Sequence, residues 1–142
     1  MAGARVTGVA SARNAELVRR LGAEAVLDRA GVDYDALEDR FDVVLDAVGA
    51  LRTAQGRRLL APGGLLLLVA GSLGQLVAAR GQVRAGTAVA RREDVERLLA
   101  LLERGELDPV LQDALPLAEV ARAHAIVDSG HKVGSVVVLP GA

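Results

Sequence analysis

Short aliphatic runs alternate along this chain with stretches whose apolar side chains recur at helical spacing. The run Arg5 to Ala10 is β-branched at Val6, Thr7 and Val9 and predicts a buried strand. Ser11 to Asn14 forms a turn and helix start, Leu17, Val18 and Leu21 share one helical face, and Gly22 suits a left-handed helix end. Ala25-Val26-Leu27 predicts a second short strand, and Asp33 to Arg40 a polar connection with a short helical turn. The third strand is Phe41 to Val48, closed by Gly49, and Leu51 to Leu60 is helical. Pro62-Gly63-Gly64 breaks the chain and feeds the most apolar strand, Leu65 to Ala70. Gly71-Ser72-Leu73-Gly74 opens a loop that continues through Gly81 and Gly86, around a short strand from Thr87 to Ala90. Arg91 to Arg104 predicts a strong helix with Val95, Leu98, Leu99 and Leu102 turned inward. Past Gly105 and Pro109, a helix from Leu117 to Asp128 precedes a last strand, Ser135 to Leu139.

Strand and helix alternate, and the connections are too long for hairpins. This predicts an α/β fold with a parallel, doubly wound sheet and right-handed crossovers. With 142 residues there is room for one domain with a core, and no repeat or linker divides it. Aromatics are 1% of the chain, so Val, Leu, Ile and Ala must fill that core, as in a sheet covered on both faces. The same scarcity of aromatics, with a net charge of -1, argues against nucleic-acid and membrane-surface partners. Without Cys there are neither disulfides nor thiolate zinc ligands. No apolar run has the length of a membrane span, and Met1-Ala2-Gly3-Ala4-Arg5-Val6 has no signal-peptide pattern; the expectation is a cytoplasmic protein.

Several stretches, in order, carry a resemblance. They are Gly3-Ala4-Arg5-Val6 with Leu21 to Asp28, Phe41 to Gly49, Leu60-Ala61-Pro62-Gly63-Gly64, Pro109-Val110, Leu115 to His124, and Ser129 to Val137. Together they resemble the cofactor-binding domain of the medium-chain dehydrogenase/reductase superfamily, in its zinc-type alcohol dehydrogenase and quinone oxidoreductase branch. The resemblance implies a Rossmann-like sheet over residues 1–142, with 106–142 similar to the segment that returns toward the catalytic domain. Two departures stand out. The first strand and its glycine-rich turn, which would hold the cofactor pyrophosphate at a helix N-terminus, are missing, and Ser135 stands where many members have Lys. The chain therefore reads as entering such a domain at its second strand, truncated at the N-terminus, and the alternative is a naturally short fold in which Gly3 is merely terminal. The absent strand would lie between the present first and third, and those two are expected to close up and pair directly.

The resemblance directs attention to the carboxyl ends of the strands, where ligands bind in open α/β sheets. After the first strand, Ala10-Ser11-Ala12-Arg13 contains no carboxylate to hold the ribose 2′-hydroxyl of NAD. A small polar residue with Arg suits the 2′-phosphate of NADP, so Ser11 and Arg13, helped by Arg29, point to NADP(H) over NAD(H). The competing reading makes Ser11 a helix N-cap and Arg13 a solvated charge. By resemblance, Val48-Gly49 borders the adenosine ribose and Ala70-Gly71-Ser72 the nicotinamide, while Lys132 lies near the phosphates, against the competing reading of a solvated surface charge. His131 reads as solvated, His124 as packed on its helix, and Asp42 and Asp46 as structural or close to the cofactor. No catalytic residue and no zinc site is expected, because the family keeps proton donors and zinc ligands mainly in a separate N-terminal domain.

The function implied is part of an NAD(P)H-dependent oxidoreductase of alcohol dehydrogenase or quinone reductase type, positioning nicotinamide for hydride transfer. Alone it should lack full activity and bind cofactor weakly. Two rivals remain at this point. An S-adenosylmethionine-dependent methyltransferase also needs a strand like Phe41 to Asp46 and a Pro-Gly-Gly turn, but its sheet ends in an antiparallel hairpin. A remnant without catalysis, associating with itself or a partner as in a homo-oligomer, is the other.

Overall fold

A computed structural model of the chain describes residues 3–86 and 89–141. Its strands are β1 (Thr7–Ala10), β2 (Ala25–Asp28), β3 (Phe41–Asp46), β4 (Leu60–Leu68), β5 (Val83–Ala85), β6 (Leu111–Pro116) and β7 (Ser135–Leu139). The helices are α1 (Ala15–Arg20), α2 (Thr53–Arg58), α3 (Leu73–Ala78), α4 (Arg92–Glu103) and α5 (Val120–Asp128). Every strand pair is parallel, as the alternation predicts. The ladders, however, form three sheets among the described residues: β1-β2, β3-β4-β5 and β6-β7. The expected direct pairing of β1 with β3 is not made. Each strand keeps only the ladder closed by its own crossover, α1 joining β1 to β2 and α2 joining β3 to β4.

Gly31–Ala90 forms one compact unit, and the residues on either side of it form a second. In the Gly31–Ala90 unit the core is Leu60, Leu66, Leu68 and Val83, with Val44, Ala79 and Ala85 packed against it. Leu66 is fully buried beneath Gly56 of α2, where a Cβ would come within 2.6 Å of Leu66 Cδ2. Pro62-Gly63-Gly64 does not end one element and begin another. It is a bulge inside β4: Leu60 pairs with Phe41 and Leu65 with Val43, so four residues loop out opposite one. Gly64 lies there against the Phe41 carbonyl, where a Cβ would be 2.8 Å from the oxygen.

In the other unit, α1 ends as expected at Gly22 (φ +105), with the Ala23 N–H donating back to the Val18 carbonyl. The strand β6 lies between Pro109 and Leu117, where the pattern predicts no element. Where it begins, Val110 has φ 51 and lies against Gly134. The Val110 N–H donates to Asp108 Oδ1, and its carbonyl accepts from the Ser135 N–H at 2.7 Å, which registers β7 on β6. Three other expectations change. The loop after Gly71 contains α3, and the short strand is Val83–Ala85. Of the stretch expected as a strand, Thr87 and Ala88 lie outside the described residues, and Val89 and Ala90 are not in a strand. Val95, Leu98, Leu99 and Leu102 of α4, expected to turn inward, are 36–53% exposed.

Candidate functional site

The Gly31–Ala90 unit builds its rim around one buried carboxylate. Asp46, the last residue of β3, is 4% exposed. Its Oδ1 accepts from the N–H groups of Val48 (3.2 Å), Gly49 (2.8 Å) and Ala50 (3.1 Å), and its Oδ2 from Leu51 (2.9 Å). Burial alone would raise its pKa. The four N–H donors, Leu51 foremost, outweigh that and hold it below the ordinary carboxylate value. Asp46 is therefore a structural anion that folds the loop after β3. Asp42 shares its strand but is exposed, so the two form no carboxylate pair.

This loop meets the next one at the carboxyl ends of β3 and β4. Gly49 has φ +74, and a Cβ there would stand 2.8 Å from the Ala70 carbonyl oxygen, so only glycine permits the approach. The Val69 N–H donates to the Asp46 carbonyl at 2.9 Å. Val48, Gly49, Ala70, Gly71 and Ser72 thus share one rim, with Val48 73% exposed. Gln75, overlooked in the sequence, ties the two loops together. Its Oε1 accepts from the Ser72 N–H (2.9 Å), and its Nε2 donates to the Leu51 carbonyl (3.1 Å). Ser72 Oγ in turn accepts from the Gln75 N–H (3.3 Å), completing a capping box whose Ser-x-x-Gln spacing was legible.

The other unit carries a second rim, at the carboxyl ends of β1 and β2. Ala10 and Asp28 are register partners, and the Arg29 N–H donates to the Ala10 carbonyl at 2.8 Å. Ser11 and Arg29 therefore follow paired strand ends, and Arg13 lies two residues past Ser11. Ser11 precedes a short 3-10 turn without any side-chain cap bond, so the N-cap reading does not account for its hydroxyl. Arg13 and Arg29 are exposed. Asp28 is exposed beside them, with its Oδ1 accepting from the Ala30 N–H.

Lys132 lies in the turn before β7, with its Nζ donating to the Gly134 carbonyl at 2.7 Å. It borders an open cleft of about 410 Å³ together with Gln112, Arg122, Ile126 and His131. His124 is exposed on α5 and not packed. The chain has no Cys, and among the described residues no three His, Asp or Glu side chains gather. No described helix is long and apolar enough to cross a membrane.

Residues 21–138 match the family model of the zinc-binding dehydrogenases. The chain belongs to that family. It is 29% identical to an NADPH-dependent alkenal/one oxidoreductase, chloroplastic, of Arabidopsis thaliana, covering 96% of this chain and 34% of the relative. It is 26% identical to a 2-methylene-furan-3-one reductase of Solanum lycopersicum, over 96% of this chain and 34% of that protein. In structure it resembles a quinone oxidoreductase of Coxiella burnetii, with a TM-score of 0.77 at 23% identity, over 96% of this chain and 45% of that one. That likeness shows the fold. The zinc-binding dehydrogenase chain thus spans about a third of the length of these two curated relatives. The family match, with β6 and β7 parallel, leaves the methyltransferase reading without the antiparallel hairpin it requires.

Proposed function

We propose that this zinc-binding dehydrogenase chain supplies the nicotinamide-cofactor contacts of an NADP(H)-dependent oxidoreductase of quinone or enone reductase type. The carrying observation is the rim at the ends of β1 and β2: Ser11 without a cap bond, exposed Arg13 and Arg29, and no carboxylate in residues 10–13. Such a donor set fits a dianionic 2′-phosphate through charge-assisted hydrogen bonds. The relative whose name specifies NADPH supports the same preference. On the other rim, Val48 and Gly49 would border the adenosine ribose, and Ala70, Gly71 and Ser72 the nicotinamide. Asp46 and Gln75 keep that rim in shape. Bound there, the cofactor supplies hydride, and this chain's own part is to bind and orient. Substrate chemistry belongs to the whole protein, and the alkenal/one and furanone names of the two relatives make a conjugated carbonyl compound the class to try first.

Titration of the 142-residue chain with 2′,5′-ADP and 5′-AMP, followed by NMR chemical shifts, tests the phosphate assignment even where affinity is weak. The 2′-phosphate should improve binding by about tenfold, the equivalent of one charge-assisted contact, and Arg13→Ala should abolish the difference. Equal affinity for the two nucleotides would overturn it.

A further inference from the structure

One side chain at the ends of β3 and β4 makes a pair of bonds that only an amide can make. Gly49 and Ala70 bring the loops after these strands together by close packing. Among the described residues a single hydrogen bond then joins segment 47–52 to segment 70–78: Gln75 Nε2 donates to the Leu51 carbonyl at 3.1 Å. Gln75 Oε1 meanwhile accepts from the Ser72 N–H at 2.9 Å. The two ends of the amide are not interchangeable here, since the carbonyl requires a donor and the N–H an acceptor. Leu51 is thereby gripped twice, its N–H by Asp46 Oδ2 at 2.9 Å and its carbonyl by Gln75. All of these groups belong to the one compact unit Gly31–Ala90.

Helix capping does not explain why this residue is Gln. Glu in the same place would complete a capping box equally well, with a carboxylate oxygen accepting from the Ser72 N–H. What Glu could not do is donate to Leu51: its second oxygen would stand against the carbonyl oxygen. The amide nitrogen is therefore spent on the link between the loops, and not on α3. We infer that Gln75 is a positioning residue for the nicotinamide end of the cofactor, fixing the Ala70-Gly71-Ser72 loop relative to the Val48-Gly49 loop. The inference rests on the proposed assignment of those loops to nicotinamide and adenosine ribose. A cofactor that spans both loops binds best when their separation is set beforehand, because the cost of ordering them is then met in folding. A ligand that occupies only the β1-β2 rim gains nothing from the link.

NMR titration of the isotope-labelled chain with NADPH and with 2′,5′-ADP separates the two ends of the cofactor. In the wild type, NADPH should shift the amides of Ala70, Gly71 and Ser72, and 2′,5′-ADP should not. In Gln75→Glu, α3 should keep its helical chemical shifts and 2′,5′-ADP its affinity. NADPH should bind about fivefold more weakly, the equivalent of one neutral hydrogen bond. If NADPH moves the Ala70 to Ser72 amides but the variant weakens neither ligand, or both alike, the inference is overturned and the loop assignment stands. If NADPH leaves those amides unmoved in the wild type, the loop assignment fails and takes the inference with it. Should Gln75→Glu not fold, the wild type still decides whether the link exists. Its bonded Gln75 side-chain amide proton should exchange with solvent about tenfold more slowly than that of a free glutamine, and free exchange overturns the inference.

Discussion

Replacing Asp46 by Asn keeps the size of the side chain and removes its charge. In the native chain the carboxylate satisfies four N–H groups, and these are not equivalent. Val48, Gly49 and Ala50 are exposed residues, whose N–H groups water can partly serve once the charge is gone. Leu51 is 8% exposed, so its N–H has no such recourse. If the Asn carbonyl keeps the three bonds now made by Oδ1, its amide NH₂ faces the Leu51 N–H, donor against donor. The buried N–H then goes unsatisfied, which costs roughly 1–3 kcal/mol, and each remaining bond loses its charge assistance. A total loss of about 3 kcal/mol follows, most of it at Leu51. Urea denaturation followed by circular dichroism measures it, with Asp42→Asn as the control: that exposed carboxylate should change stability by less than about 0.5 kcal/mol. If Asp46→Asn falls within the same margin, the carboxylate does not organise the loop. The assignment of Val48 and Gly49 to a preformed rim would then fall with it.

Two other outcomes follow from the same contacts. A Cβ on Gly134, at φ +82, would clash with the Val110 carbonyl oxygen, so Gly134→Ala should cost more than about 3 kcal/mol, seen as a lowered Tm; a change under about 1 kcal/mol would contradict the close approach. The pH response of Asp46 has a definite sign. Its folded pKa lies below the unfolded value of about 3.9, so its stabilisation is complete above that pH and is lost as pH falls through the lower folded value. The gap in urea midpoint between wild type and Asp46→Asn should therefore narrow from about pH 5 toward pH 2, and a constant gap would refute the linkage.

The sequence was most legible where periodicity and turn chemistry agreed. Phe41 to Asp46, the Gly22 helix end and the last strand needed nothing from the rest of the chain. Leu111–Pro116 was not readable as β6 because Gln112, Asp113 and Pro116 interrupt its apolar pattern, and only pairing with β7 makes it a strand. Two glycines hid α3, although the Ser72-Gln75 spacing announced it. The inward orientation expected of α4 followed from its pattern, which reports that a stripe is apolar and says nothing of what covers it. The rim after β3 was legible as glycine at a strand end. The four-way grip of Asp46 was not, since Asp42 and Asp46 look alike in sequence and differ only in burial.

The bulge in β4 has a consequence for how this chain can vary. Between their first two pairings β3 advances by two residues and β4 by five, an even step against an odd one. The looped-out Pro-Gly-Gly segment is what reconciles them, and so acts as a phase setter for everything that follows. Its length, more than its composition, assigns Leu66 and Leu68 to the interior and Leu65 to the outside. Loss of a single residue there would slip the strand by one and turn its most buried leucines out to solvent.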